Sequence, residues 1–168
     1  MVNNKIRNNV AYFIQQIESA KSDKPGKKLL QKMVYLAQAN GIDLGFEYGI
    51  HFYGPYSATL DDSLYSLSAD SIISFEYKGY SHLMSINDEY EAEFELGETN
   101  KQKLDALIEK YKNKTPSQLE LMTTTHYVQQ KLAVTDEANI IVGVKKIKAD
   151  KYSEEEIKEA INELNLSA

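Results

Sequence analysis

The hydrophobic spacing changes period once, between residues 70 and 98, and that change restricts the chain to a mixed helix-and-sheet fold. Upstream, Ile6, Val10, Phe13, Ile14 and Ile17 recur at helical spacing and predict a first amphipathic helix over about residues 4–20. The Ser22-Asp23-Lys24-Pro25 stretch breaks it and offers Pro25 as an early residue of a second helix. That helix carries Leu29, Leu30, Met33, Val34 and Ala37 and stops at Asn40-Gly41, with Ile42 placed to fold back on its last turn. Ser57 is placed to cap a third helix faced by Leu60, Leu64 and Leu67.

Then the period becomes two. Ile72–Tyr77 and Tyr80–Ile86 flank Lys78-Gly79, the pattern of a hairpin. Tyr90, Ala92, Phe94 and Leu96 alternate with Glu91, Glu93 and Glu95, which predicts a half-buried third strand with an acidic wet face. Helical spacing returns afterwards. Thr99 with Gln102, Thr115 with Gln118 and Ser153 with Glu156 have capping-box spacing, and Pro116 takes a first helical position. A further helix is expected over Ala138–Lys148.

The expected fold class is therefore α+β. It is a predominantly helical single domain over residues 1–168, with a small antiparallel hairpin or three-stranded sheet of residues 72–96. Its N-terminal half has a winged-helix-like order, and 168 residues suffice for one buried core. The absence of cysteine excludes disulfides, zinc–thiolate sites and thiol nucleophiles. No apolar run of about 18 residues is present, and the N-terminus has the pattern of an amphipathic helix and not of a signal peptide. The expected compartment is the cytoplasm, with no membrane partner.

Charge is unevenly distributed. Residues 1–50 carry seven basic and four acidic side chains, residues 51–100 one lysine and ten acids, and residues 101–168 eleven of each. An acidic middle third repels nucleic acid and attracts a basic surface; the bland alternative is a solvated face. Helix, helix, helix, hairpin is also the order of a winged-helix DNA-binding regulator. Base reading leans on arginine, however, and Arg7 stands alone against eighteen lysines. The recognition-helix position opens with Asp61 and Asp62, and the wing is acidic, so nucleic acid is not the expected partner. Lys21, Lys24, Lys27, Lys28 and Lys32 form one basic cluster, whose simpler role is a solubilising edge.

His51, His82 and His126 have no metal-ligand spacing, and no metal or other cofactor is expected. His126 lies on an apolar helical stripe and His82 on the polar side of a strand. His51 sits in the aromatic run Tyr48–Ser57, where phenols and Asp61 leave open a small-molecule enzyme using proton transfer. No activated nucleophile completes a catalytic set, so no catalytic residue is assigned. The structural alternative is a fixed turn linking two helices, with at least two of its aromatics buried.

Two stretches carry a family resemblance. Lys28-Leu29-Leu30-Gln31-Lys32-Met33-Val34-Tyr35-Leu36-Ala37-Gln38 resembles the signature helix of the Panacea-domain (SocA-like antitoxin) family, and Tyr53-Gly54-Pro55-Tyr56-Ser57 resembles its Tyr-Gly-Pro element. Residues 45–57, with Lys151–Ile157, are similar to the YwgA-like branch. The resemblance implies a role in prokaryotic toxin–antitoxin or phage-defence systems: a non-enzymatic protein that neutralises or regulates a partner, or delivers it for proteolysis. In that reading Leu30, Lys32, Tyr35, His51, Tyr53, Gly54, Pro55 and Tyr56 are scaffold. The acidic strand, through Glu91, Glu93 and Glu95, then meets another protein with a basic surface, a toxin or defence component.

Overall fold

Helix-capping chemistry sets most of the boundaries in the computed structural model, which describes residues 3–166. Helix α1 spans Asn4–Lys21 and is capped by the Asn3 side chain, which accepts from the Lys5 N–H. Helix α2 spans Lys27–Ala39. Its end is a Schellman closure: Gly41 has φ of 88°, its N–H donates to the Gln38 carbonyl, and the Ile42 N–H donates to Ala37. Ile42 is fully buried, as the fold-back requires.

Strands β1 (Gly49–His51) and β2 (Gly54–Tyr56) form a short antiparallel pair. Helix α3 (Ala58–Ala69) follows, capped by Ser57. Strands β3 (Ile73–Lys78) and β4 (Ser81–Ile86) pair antiparallel from Ile73↔Ile86 to Lys78↔Ser81. Gly79 and Tyr80 make the turn, and Gly79 supplies a φ of 62°. Helices α4 (Glu98–Tyr111), α5 (Pro116–Lys131), α6 (Glu137–Lys148) and α7 (Glu154–Leu166) complete the chain. The fold is α+β and predominantly helical, with two small antiparallel strand pairs.

Four expectations need correction. Residues 90–96 form no strand and belong to no ladder. The free edge of β4 is instead met by Pro25 and Gly26: the Met84 N–H donates to the Pro25 carbonyl at 2.8 Å, and Gly26 bridges Leu83. Pro25 is thus extended backbone before α2, whose N-cap is Gly26. Thr99 lies inside α4 rather than capping it, because the chain enters that helix at Gly97 with φ of 86°. Thr115 with Gln118 is a full capping box, and Ser153 accepts from the Glu156 N–H. The aromatic run is not a simple helix–helix turn either, since half of it forms β1–β2.

The chain divides into two compact units. Unit 1 comprises residues 1–48 and 57–114, and its core gathers Phe13, Ile14, Ile17, Leu30, Met33, Leu36, Leu60, Leu64, Leu67, Met84 and Leu104. Unit 2 comprises residues 49–56 and 115–168, where α5, α6 and α7 pack on one another and β2 packs on α5. Gly143 lets α6 approach α5, since a Cβ there would lie 2.7 Å from Val128 Cγ1. The motif residues Leu30, Lys32 and Tyr35 fall in unit 1, while His51, Tyr53, Gly54, Pro55 and Tyr56 fall in unit 2.

Candidate protein-binding interface

The acidic segment keeps its alternation without a ladder. Glu91, Glu93 and Glu95 are exposed, while Ala92, Phe94 and Leu96 are half-buried. What replaces sheet pairing is a set of contacts to α1. Asn9, almost fully buried, accepts from the Glu95 N–H at 2.7 Å. Asn8 accepts from the Tyr90 hydroxyl at 3.1 Å and donates to Glu95 Oε1 at 3.2 Å. The Phe94 ring lies 5.3 Å from Tyr12. The buried Asn9 was the missed signal, since a polar side chain on an apolar helix face needs a partner. The result is a segment anchored on α1 in which Glu91 and Glu93 are exposed and the exposed Glu95 is held by Asn8.

The motif helix works through its glutamines, which sequence reasoning passed over. Gln31 Nε2 donates to the Ser57 carbonyl and its Oε1 accepts from the Ser57 N–H, both at 2.9 Å. Seven residues on, Gln38 does the same with Phe46, at 2.8 and 2.9 Å. A primary amide matches a peptide unit donor for acceptor, so each glutamine satisfies one loop residue that has no strand partner. Tyr48 adds a hydroxyl bond to the Gln31 carbonyl at 2.7 Å and an edge-on contact with Tyr35 at 5.2 Å. Burial, with the neighbouring Tyr35, pushes the Tyr48 phenol well above its ordinary value. Leu30, Lys32 and Tyr35 are buried.

In unit 2 a different chemistry fixes β1–β2. Lys148 Nζ donates to the Phe52 carbonyl at 2.9 Å and to Glu120 Oε1 at 2.7 Å. Glu120 also accepts from Lys151 at 2.5 Å and from the Tyr152 hydroxyl. Burial pushes the Glu120 carboxyl up, but the bonds from Lys148, Lys151 and Tyr152 outweigh it and hold it below the ordinary glutamate value. Burial and the bond to Glu120 raise the Tyr152 phenol. Neither Glu120 nor Lys148 stood out in the sequence, because each reads as a surface charge until its helix face is known.

The expected burial of two aromatics in the Tyr-Gly-Pro element is not met. Gly54 and Pro55 are buried and Tyr56 is half-buried, but Tyr53 is exposed and Phe52 is 85 % exposed. A two-residue turn projects residues 52 and 53 away from the strands, which accounts for the difference. His51 is exposed, its ring 4.7 Å from Tyr56. Asp61, considered as its acid partner, is ion-paired with Lys27 at 2.6 Å. His126 is half-buried, and burial, with Lys131, lowers its pKa. Among the described residues no cluster of three histidines or carboxylates has the geometry to hold a metal, and no helix is long and apolar enough to cross a membrane.

No protein-family model matches the sequence, and no curated protein matches it.

Proposed function

We propose that this chain is a non-enzymatic, cytoplasmic protein-binding module that neutralises or regulates a basic partner protein, as its resemblance to antitoxins of prokaryotic conflict systems implies. One observation carries the reading. Glu91, Glu93 and Glu95 are exposed and alternate with half-buried residues in a segment tied to α1 by the Glu95 N–H and the Phe94 ring, with the Glu95 carboxylate itself held by Asn8. A preorganised row of like charges about 7 Å apart loses little entropy on docking, and opposing lysines or arginines relieve its repulsion.

Two features weigh against the DNA-binding regulator. Lys24 is paired with Glu76 and Lys27 with Asp61, each at 2.6 Å, so these cations at the wing and the start of α2 are occupied. Against an enzyme, the buried carboxylate Glu120 is already bound by three donors.

Co-purification from the native host tests the proposal. The wild-type chain should retain a basic protein, and the variant combining Glu91→Lys, Glu93→Lys and Glu95→Lys should lose it. Equal retention by both, or steeply salt-dependent binding of random duplex DNA, would overturn it.

A further inference from the structure

The two edges of the β3–β4 hairpin are finished differently. On the β4 side, the Met84 N–H donates to the Pro25 carbonyl at 2.8 Å and the Ile86 N–H to Glu18 Oε2 at 3.1 Å. Both groups therefore point away from β3. In an antiparallel ladder, when one member of a directly opposite pair points its backbone groups outward, so does the other. Phe75 is opposite Met84, so its N–H and C=O face out from the far edge of β3. By the two-residue alternation, so do those of Tyr77. The bond from the Asn87 N–H to the Ile72 carbonyl sets the same phase.

Among the described residues nothing pairs with those outward groups. Ile73 is 3 % exposed, which closes the inner end of the edge. Ser74, Glu76, Tyr77 and Lys78 are exposed and Phe75 is half-buried. The open stretch is thus residues 74–78. It presents a row of unmet ladder donors and acceptors, the template on which another strand adds.

We propose that β3 pairs antiparallel with β3 of a second copy of this chain, about a two-fold axis at Glu76, so that the two hairpins share one sheet. The open stretch is self-complementary in that register. Phe75 meets Tyr77 of the second copy, and Tyr77 meets its Phe75. Each pair exchanges both backbone bonds and sets ring against ring. Glu76 meets its own image, which repels unless cations flank it. Here they do. Lys24 holds Glu76 at 2.6 Å. Lys78 has no ion-pair partner among the described residues, and it comes diagonal to Glu76 of the second copy. Neighbouring registers pair less well. A shift of one step toward the inner end sets Tyr77 against the buried Ile73, and a shift toward the turn sets Phe75 against Gly79, whose φ of 62° lies outside strand geometry.

This pairing uses the backbone of β3 and not the acidic segment, so it stands or fails apart from the proposed function. The test is sedimentation of the full chain up to about 1 mM, the weak limit of specific association, with amide exchange read at low and high concentration. The wild type should pass reversibly from monomer to dimer. Its Phe75 and Tyr77 amides should gain protection with concentration, while the Met84 amide is protected throughout. Tyr77→Pro removes an N–H that the hairpin itself does not use, and should weaken the dimer at least about tenfold with the Met84 amide still protected. Lys78→Glu, at an exposed position, should weaken it comparably by adding a third like charge, and it decides the matter if the proline variant does not fold. A monomer at every concentration would overturn the proposal. So would wild-type affinity in a folded Tyr77→Pro or in Lys78→Glu, or a dimer that leaves the Phe75 and Tyr77 amides exchanging as in the monomer.

Discussion

Each unit fastens an irregular segment to a helix, but unit 1 does so with neutral amides and unit 2 with buried charge. In unit 1, Gln31 and Gln38 each close a pair of hydrogen bonds on a loop residue. In unit 2, Lys148 reaches the Phe52 carbonyl and is balanced by Glu120, which also holds Lys151 and Tyr152. An amide pair carries no net charge to desolvate and does not titrate. A buried ion pair costs desolvation, offset only while every partner is present. The loop of unit 1 should therefore tolerate acid and the hairpin of unit 2 should not, although the resemblance assigns both to a single motif.

The largest effect should come from Lys148→Ala. It leaves Glu120 with two of its three donors and strands the Phe52 carbonyl, at a cost of about 3 kcal/mol in thermal or denaturant unfolding. A cost under about 1 kcal/mol would mean that the pair merely breaks even. Gln31→Leu should follow at about 2 kcal/mol, because the buried Ser57 N–H and carbonyl each lose a partner. Gly54→Val should cost about 1–3 kcal/mol, since Gly54 is buried and holds φ of 90°, which a β-branched residue resists. If that variant melts like the wild type, the turn is not the constraint it is taken to be.

Acid sharpens the contrast. The Glu120 carboxyl is held below its ordinary value of 4.5, so its contribution is fully present above that pH and is lost as pH falls through the lower folded value. Hydrogen exchange between about pH 5 and pH 3 should show the β1–β2 amides losing protection before the Phe46 and Ser57 amides. Simultaneous loss in both places would erase the distinction.

How much was legible in the sequence follows the same division between local and tertiary signals. Caps at Ser57, Thr115 and Ser153 and the closure at Asn40–Ile42 were readable because their partners lie within a few residues. The Tyr90–Leu96 alternation reappears as alternating exposed and half-buried residues without the expected third strand, because period two does not say whether the covered side rests on a sheet or a helix. Here Asn9 on α1 supplies what a neighbouring strand would have supplied. Gln31, Glu120 and Lys148 were invisible for a related reason: their partners are 26, 28 and 96 positions away, and nothing local distinguishes them from surface residues. The acidic row was visible as composition, and its exposure follows from the structure.

The smallest expected change in stability accompanies the largest expected change in binding. Combining Glu91→Lys, Glu93→Lys and Glu95→Lys should shift unfolding by about 0.5 kcal/mol or less per site, because all three side chains are exposed. The decisive measurement is the association rate of the captured partner with wild type and with this variant, at low and at physiological salt. A basic partner steered by the acidic row should associate at least about tenfold more slowly with the variant at low salt, with the gap narrowing as salt screens the charges. Equal rates at low salt would contradict the account and place the interface elsewhere on the chain.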